Sequence, residues 1–428
     1  MHDLRASVPG FARSLVLMTS LQDRPFDIVV FGATSFVGQI LCRYLVERHG
    51  TAGDLRWAIA GRSTAKLGSV ATATGASVPQ ITADAASGDD MATLAESARV
   101  VVSTVGPYAL HGSGLVAACA AAGTDYCDLT GEPQWMQRMI DTHGAAAEAS
   151  GARIVHSCGF DSIPSDLGVR FTQQAAIERF GRPCTRIAMR VKAMKGGASG
   201  GTIASMMNVM EETAADPTLR KLLANPYALA PEGMRTGVDQ PNVMLPKHDD
   251  ASGEWVGPFV MAAINTRVVH RSHALLGRPW GEDFVYDEAM MMGDGPVGAA
   301  KAAGLAGGLG GFMGLVALGP ARRLLNRFVL PEPGEGPSPE AQENGHFDIR
   351  FFGTTADGRT ITTKVTGDRD PGYGSTAKML GESATTLLHL PREGAAGVAG
   401  GFWTPATALG DPLIEALETH AGLMFAVQ

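Results

Sequence analysis

From position 26 the chain alternates short apolar runs with longer stretches whose apolar residues recur every three or four positions. The run FDIVVF at 26–31 has the length and composition of a strand, and a glycine-rich turn follows it. Val37, Ile40, Leu41, Tyr44 and Leu45 then fall at helical spacing. Further strands are predicted over 56–60, 78–82, 100–105, 125–129 and 153–157, with alanine-rich helical segments such as 113–122 and 133–149 between them. Strands that alternate with helices pair in parallel through right-handed crossovers. The pattern therefore predicts a doubly wound α/β layer over residues 25–170.

Beyond about residue 170 the pattern changes. Residues 185–193 alternate apolar and polar positions, and 202–215 read as a helix with Thr202 as its cap. Residues 347–355 and 359–366, separated by Ala356-Asp357-Gly358, read as a β-hairpin. This predicts a second, α+β domain over 171–375. Within it, residues 331–345 (PEPGEGPSPEAQENG) have linker composition and are expected to form a mobile surface loop. Residues 302–321 carry no charge, which is the length of a bilayer span, but seven of them are glycine and Pro320 closes the run. Three readings stand: a close-packed helix, an interfacial or acyl-lining helix, and a transmembrane helix. The expectation is packing against the second domain or a lipid surface. Residues 1–24 lack a basic region and a sufficiently long apolar stretch for a secretory signal, and are expected to form a disordered extension, with Met18 an alternative start.

Composition narrows the function. A net charge of -8 and the lack of basic clusters interleaved with aromatics argue against nucleic acid as a partner. The five cysteines form no CxxC pair and no zinc spacing, so no metal site is expected and a cytoplasmic, reduced setting is.

The chemistry begins at the first turn, Gly32-Ala33-Thr34-Ser35-Phe36-Val37-Gly38. Gly32 permits the tight turn and Gly38 close packing of the helix on the sheet. The N–H groups between them would face a dinucleotide pyrophosphate at a helix N-terminus. Ser35 stands at the middle glycine position, where its hydroxyl would add a hydrogen bond to phosphate. Dinucleotide-binding sites selective for NAD carry an acid at the end of the second strand. Here Arg62 follows that strand, with Lys66 nearby, and a guanidinium suits a 2′-phosphate. The predicted cofactor is NADP(H). Asp84, after the third strand, is placed beside the adenine. Gly106 and Pro107, after the fourth, are placed beneath the nicotinamide ribose, with Tyr108 flanking the substrate; the plainer reading is that Pro107 only ends a strand.

GATSFVG at 32–38, AGR at 60–62, VGPY at 105–108, DYCDLTGE at 125–132 and CGFDSIPSDLG at 158–168 resemble the saccharopine dehydrogenase-like superfamily. So do KGGASGGT at 195–202, AKMLGESA at 377–384 and GGFWTPATALGDPL at 400–413. The combination is most similar to the trans-acting enoyl reductase branch. The resemblance implies a Rossmann domain, a saccharopine-reductase-like α+β domain, and a return of residues 376–428 to the first. It further implies reduction of an acyl-chain double bond while the chain is tethered to a polyketide synthase, in lipid assembly. A homodimer and peripheral association with a membrane surface extend these expectations.

Such a reaction needs hydride, a donor to the thioester oxygen and a proton for the α-carbon. Tyr108, Asp161 and Ser162 are the candidate catalytic residues. Ser162 followed by Pro164 also reads as a helix cap, a purely structural role. The alternative of a saccharopine-type C–N dehydrogenase would use cations for substrate carboxylates, and Arg190, Lys192, Lys195, Arg267 and Arg271 are available in sequence. A third reading is a lipid-associated NADP-binding protein without catalysis.

Overall fold

The computed structural model describes residues 21–196, 200–317, 336–394 and 397–428. In its first half, β1 (Phe26–Phe31), α1 (Phe36–His49), β2 (Trp57–Gly61), α2 (Thr64–Thr74), β3 (Gln80–Thr82), α3 (Gly88–Ser97) and β4 (Ala98–Ser103) alternate strand with helix. The alternation continues through α4 (Tyr108–His111), α5 (Ser113–Ala122), β5 (Asp125–Asp128), α6 (Pro133–Ser150), β6 (Arg153–Val155) and α7 (Ile163–Phe180). These strands pair in parallel, and β13 (Gly401–Trp403) completes the order β13-β6-β5-β4-β1-β2-β3. Both faces of the sheet are covered, which is why β1 is apolar at nearly every position. Ile28 and Val30 enter one core, Val29 and Phe31 the other.

The second half is built on β7 (Cys184–Lys195), β8 (Lys247–His248), β9 (Trp255–Gly257), β10 (Val285–Gly293), β11 (His346–Thr355), β12 (Thr360–Gly367) and β14 (Leu423–Val427). Their order is β14-β12-β11-β7-β10-β9-β8, parallel only between β7 and β10. The expected hairpin is β11–β12, closed by Gly358 at φ +83°. The remaining helices are α8 (Gly200–Ala215), α9 (Pro217–Ala224), α10 (Ala262–Leu275), α11 (Gly295–Ala317), α12 (Pro339–Glu343), α13 (Thr376–His389) and α14 (Gly410–His420).

Several sequence expectations need correction. A boundary at residue 170 falls inside α7, which runs unbroken to the left-handed Gly181 and packs at Gly168 against Phe351 of the second sheet. The return of 376–428 to the first sheet is incomplete: β13 pairs with β6, but the final strand β14 covers the edge of the second sheet at β12. The helix expected to start at a Thr202 cap begins at Gly200.

Of the segment 331–345, residues 336–345 are described, and they are tied down. Ser338 caps α12 by accepting from Ala341 N, Pro339 occupies its first turn, and buried Gln342 donates to the Pro337 carbonyl at 2.8 Å. The uncharged segment 302–321 is described to residue 317 as part of α11, which packs through Ala302 and Leu305 on β9 at Gly257. Among the described residues no helix is long and apolar enough to cross a membrane. Residues 1–20 lie outside the described residues.

Candidate functional site

Gly32 follows β1 at φ +90°, and a Cβ there would stand 2.7 Å from both Thr104 Oγ1 and Val105 Cγ2. The turn and the loop after β4 are thus pressed together. A Cβ on Gly38 would meet the Gly32 carbonyl oxygen at 2.2 Å and Ala33 Cα at 2.9 Å, so the first turn of α1 sits directly on the loop. Ser35 caps α1 by accepting from Gly38 N at 2.9 Å. Thr104 Oγ1 donates to the Gly32 carbonyl at 2.9 Å, which leaves Ser35 to donate to Thr104 at 2.9 Å. Within the turn Ser35 holds the backbone's shape through Gly38 and Thr104. The N–H groups of Thr34, Phe36 and Val37 have no acceptor among the described residues, and all three residues are half-exposed. An N-terminal turn with free, outward N–H groups and room only for glycine fits a pyrophosphate.

Thr34 sits beside Gly61 at the end of β2, 3.8 Å from where a Cβ would stand, which brings Arg62 next to the turn. Arg62 and Lys66 are exposed and have no ion-pair partner among the described residues. Asp84 lies at the same end of the sheet, because β3 pairs with β2 at Gly61 and Thr82. Its carboxylate accepts from Ala86 N at 3.0 Å and its N–H donates to Asp90 Oδ2 at 2.8 Å, so it shapes its own turn. The Phe36 ring packs edge-on against Tyr373 at 5.0 Å and beneath the backbone of Gly336. Residues of the second half thereby reach the phosphate turn.

Gly106 and Pro107 lead into α4 at the carboxyl end of β4. Tyr108 is buried and its hydroxyl donates to the Ser103 carbonyl at 3.0 Å while Leu129 N donates to it at 3.4 Å. Burial pushes this phenol well above its ordinary range. Ser162 stands at the cap position of α7 with Pro164 in the first turn, yet its hydroxyl makes no capping bond. It donates instead to Asn265 Oδ1 at 3.1 Å, in the buried interior. Both hydroxyls, offered by the sequence as candidate donors, are bonded within the protein.

Asp161 differs. It is half-buried, has no hydrogen-bond partner among the described residues, and stands 3.8 Å from where a Gly131 Cβ would be. Burial pushes its carboxyl up to about 6.

Beneath these residues lies a buried polar layer that joins the two halves. Asn265 of α10 donates to Glu288 Oε2 at 2.9 Å, and Tyr286 donates to Glu288 Oε1 at 2.6 Å. Tyr286 and Glu288 are two apart on β10 and so share a face. Asp166 accepts from Ser272 at 2.5 Å and from Ala406 N at 2.8 Å. Burial pushes Glu288 up to about 7 and Asp166 to about 6. This layer accounts for the serines and the second aspartate of CGFDSIPSDLG.

Residues 28–155 match the family model of the saccharopine dehydrogenase NADP binding domain. Over 410 residues the chain is 43% identical to a Mycobacterium tuberculosis protein provisionally named a trans-acting enoyl reductase, covering 92% of this chain and 96% of that one. It is also 38% identical over 412 residues to the trans-acting enoyl reductase of Mycobacterium bovis, with the same coverage of 92% and 96%. The chain belongs to the trans-acting enoyl reductase family. Its fold is similar to that of apo saccharopine dehydrogenase (L-Glu forming) from Saccharomyces cerevisiae, with a TM-score of 0.50 at 13% identity, covering 94% of this chain and 99% of that one.

NADP(H) is the cofactor, as the domain match indicates and the free N–H groups and unpaired Arg62 fit. As a member of this family the chain carries two acidic residues that sequence reading passed over. Asp128 accepts from Tyr126, from Thr130 N and Ser157 N, and binds His156 Nδ1 at 2.7 Å, fixing the loops after β5 and β6. Glu132 gathers three donors from two segments, α4 and α8. Both stand in DYCDLTGE, but apart from Tyr126 their side-chain partners, His156 and Ser205, are distant in sequence.

Proposed function

We propose that this chain is an NADPH-dependent enoyl reductase that acts in trans on an acyl or polyketide chain tethered to a synthase, in lipid assembly. The observation that carries the reading is the 43% identity over 92% of the chain to a relative named for that activity. The site supports it. Backbone N–H groups of Thr34, Phe36 and Val37 would hold the pyrophosphate, Arg62 with Lys66 the 2′-phosphate, and Gly106 and Pro107 the nicotinamide side. NADPH, when bound, supplies the hydride that reduction of a C=C bond requires.

The chain's own residues supply the rest. Asp161 keeps the proton at its carboxyl up to about pH 6, because a half-buried acid without a partner resists ionisation. It is the residue we assign as proton donor to the α-carbon. Tyr108 and Ser162 act through position: the first pins the loop after β4 to β5, the second pins the start of α7, and with it Asp161, to α10.

Three of the five cations available to saccharopine-type chemistry are already engaged, and the other two, Lys192 and Lys195, are exposed. Arg190 is buried and paired with Asp249 and Asp287. Arg267 donates to the carbonyls of Ala263 and Leu223, and Arg271 to those of Leu229 and Phe402. None of the three is offered to a substrate carboxylate. The test is oxidation of NADPH by the purified protein with a synthase-bound enoyl intermediate. A saturated chain is the expected product; no reduction of the enoyl chain, with NADP+ reduced by saccharopine, would replace this reading with the amino-acid one.

A further inference from the structure

Glu132 is fully buried at the start of α6, where an isolated carboxylate would be costly. Its Oε1 accepts from Tyr108 N at 2.8 Å and from Ser205 Oγ at 2.9 Å, and its Oε2 accepts from Ala109 N at 2.9 Å. The two amides are the first of α4, immediately after Gly106 and Pro107. Ser205 belongs to α8, a helix inserted between β7 and β10 of the second sheet, and its Oγ lies 3.8 Å from where a Gly106 Cβ would stand. Seven residues along the same face of α8, Glu212 Oε2 accepts from Gln134 Nε2 at 3.1 Å, and Asn208 between them donates to Glu212 Oε1 at 3.2 Å. The first turn of α6 therefore grips α8 at two points, and one carboxylate joins the loop after β4 to a helix of the second half. On the loop after β5 that leads into Glu132, Gly131 faces Asp161.

We propose that Glu132 is a positioning residue for hydride transfer: it holds the Gly106-Pro107-Tyr108 loop and α8 in fixed register around the space beside Asp161. The choice of substrate in its kinetic test rests on the enoyl reductase reading; the structural claim does not. A carboxylate is required because all three partners are donors. Glutamine would turn its NH2 toward one of them, and no orientation satisfies both sides. Ser205→Ala is the milder probe, since it removes the tie to α8 and leaves Glu132 its two backbone donors.

Three readouts on the full-length protein test this: amide hydrogen exchange, NADPH affinity, and steady-state NADPH oxidation with a trans-2-hexadecenoyl coenzyme A probe. Ser205→Ala should speed exchange across 200–215 about tenfold, the loss of one hydrogen bond to a charged group. It should raise the KM for the probe more than it lowers kcat. Glu132→Gln should add faster exchange at 108–111 and lower kcat as well, while both variants bind NADPH within about twofold of wild type. Unchanged exchange in α8 with Ser205→Ala overturns the proposal. So does wild-type turnover in both variants, or a loss of NADPH affinity that matches the loss of turnover. If wild type leaves the probe unreduced while exchange responds as expected, the enoyl reading fails and the coupling of α8 to the loop stands.

Discussion

Replacing Arg62 by alanine should erase most of the preference for NADPH over NADH. Arg62 follows β2, is exposed, and has no ion-pair partner among the described residues, so nothing in the protein competes with a ligand for its guanidinium. A forked contact to a 2′-phosphate is a charge-assisted hydrogen bond, for which about 1.5–3 kcal/mol is ordinary. Solvent screening at an exposed site favours the lower part of that range. The expected loss is thus about tenfold to thirtyfold in NADPH affinity, since about 1.4 kcal/mol is a factor of ten. NADH lacks the phosphate, and its affinity should move by less than about twofold. The assay is titration of both nucleotides by fluorescence, in wild type and variant, at two salt concentrations. Because the contact is ionic, the wild-type preference should shrink as salt rises. Equal affinity for the two nucleotides in wild type, or an equal loss for both in the variant, would refute the reasoning.

Gly38→Ala places a Cβ 2.2 Å from a backbone oxygen, a clash no side-chain rotation relieves; thermal unfolding should show a loss of about 1–3 kcal/mol and nucleotide titration a marked loss of NADPH affinity. Asp161→Asn should lower kcat by about a hundredfold or more and remove the fall in wild-type turnover expected as pH rises through about 6, because the donor must be protonated; an unaltered pH–rate profile would exclude it as donor. Glu288 is raised to about 7 in the folded chain, so the native state binds its proton more tightly and this group's contribution to stability falls as pH rises from its unfolded value toward 7. Glu288→Gln should therefore gain stability relative to wild type between pH 5 and pH 8, read as the difference in Tm at the two pH values; a constant difference would contradict the assignment.

The cofactor half of the site was legible because it is local. The strand 26–31, the glycine turn and the helix that follows are contiguous, and each residue's role depends on neighbours a few positions away. Arg62 was readable for the same reason, since it follows the next strand directly. What sequence concealed is set by partners brought together in folding. Ser162 looked like a cap, and it does occupy the cap position, but its hydroxyl is bonded to Asn265, 103 residues away. Tyr108 looked like a substrate neighbour, yet its hydroxyl closes onto the backbone of the strand just before it. Glu132 was invisible as a junction because Ser205 lies in another layer of the fold. The last strand read as part of the return to the first sheet, while its true partner, β12, is hidden in pairing that no local pattern specifies. Residues 336–345 read as a linker by composition, although a serine cap, a proline in the first turn and one buried glutamine suffice to order them.

The central claim is tested most directly by following the transferred hydrogen. The protein would be given NADPH deuterated at the nicotinamide position that donates hydride, together with a long-chain trans-2-enoyl thioester on an acyl carrier. Mass spectrometry of the released acyl chain then reads both product and label. A saturated chain with deuterium on the β-carbon is expected, and no reduction of NADP+ when saccharopine is offered with the oxidised cofactor instead. An unreduced acyl chain, beside reduction of NADP+ by saccharopine, would contradict it.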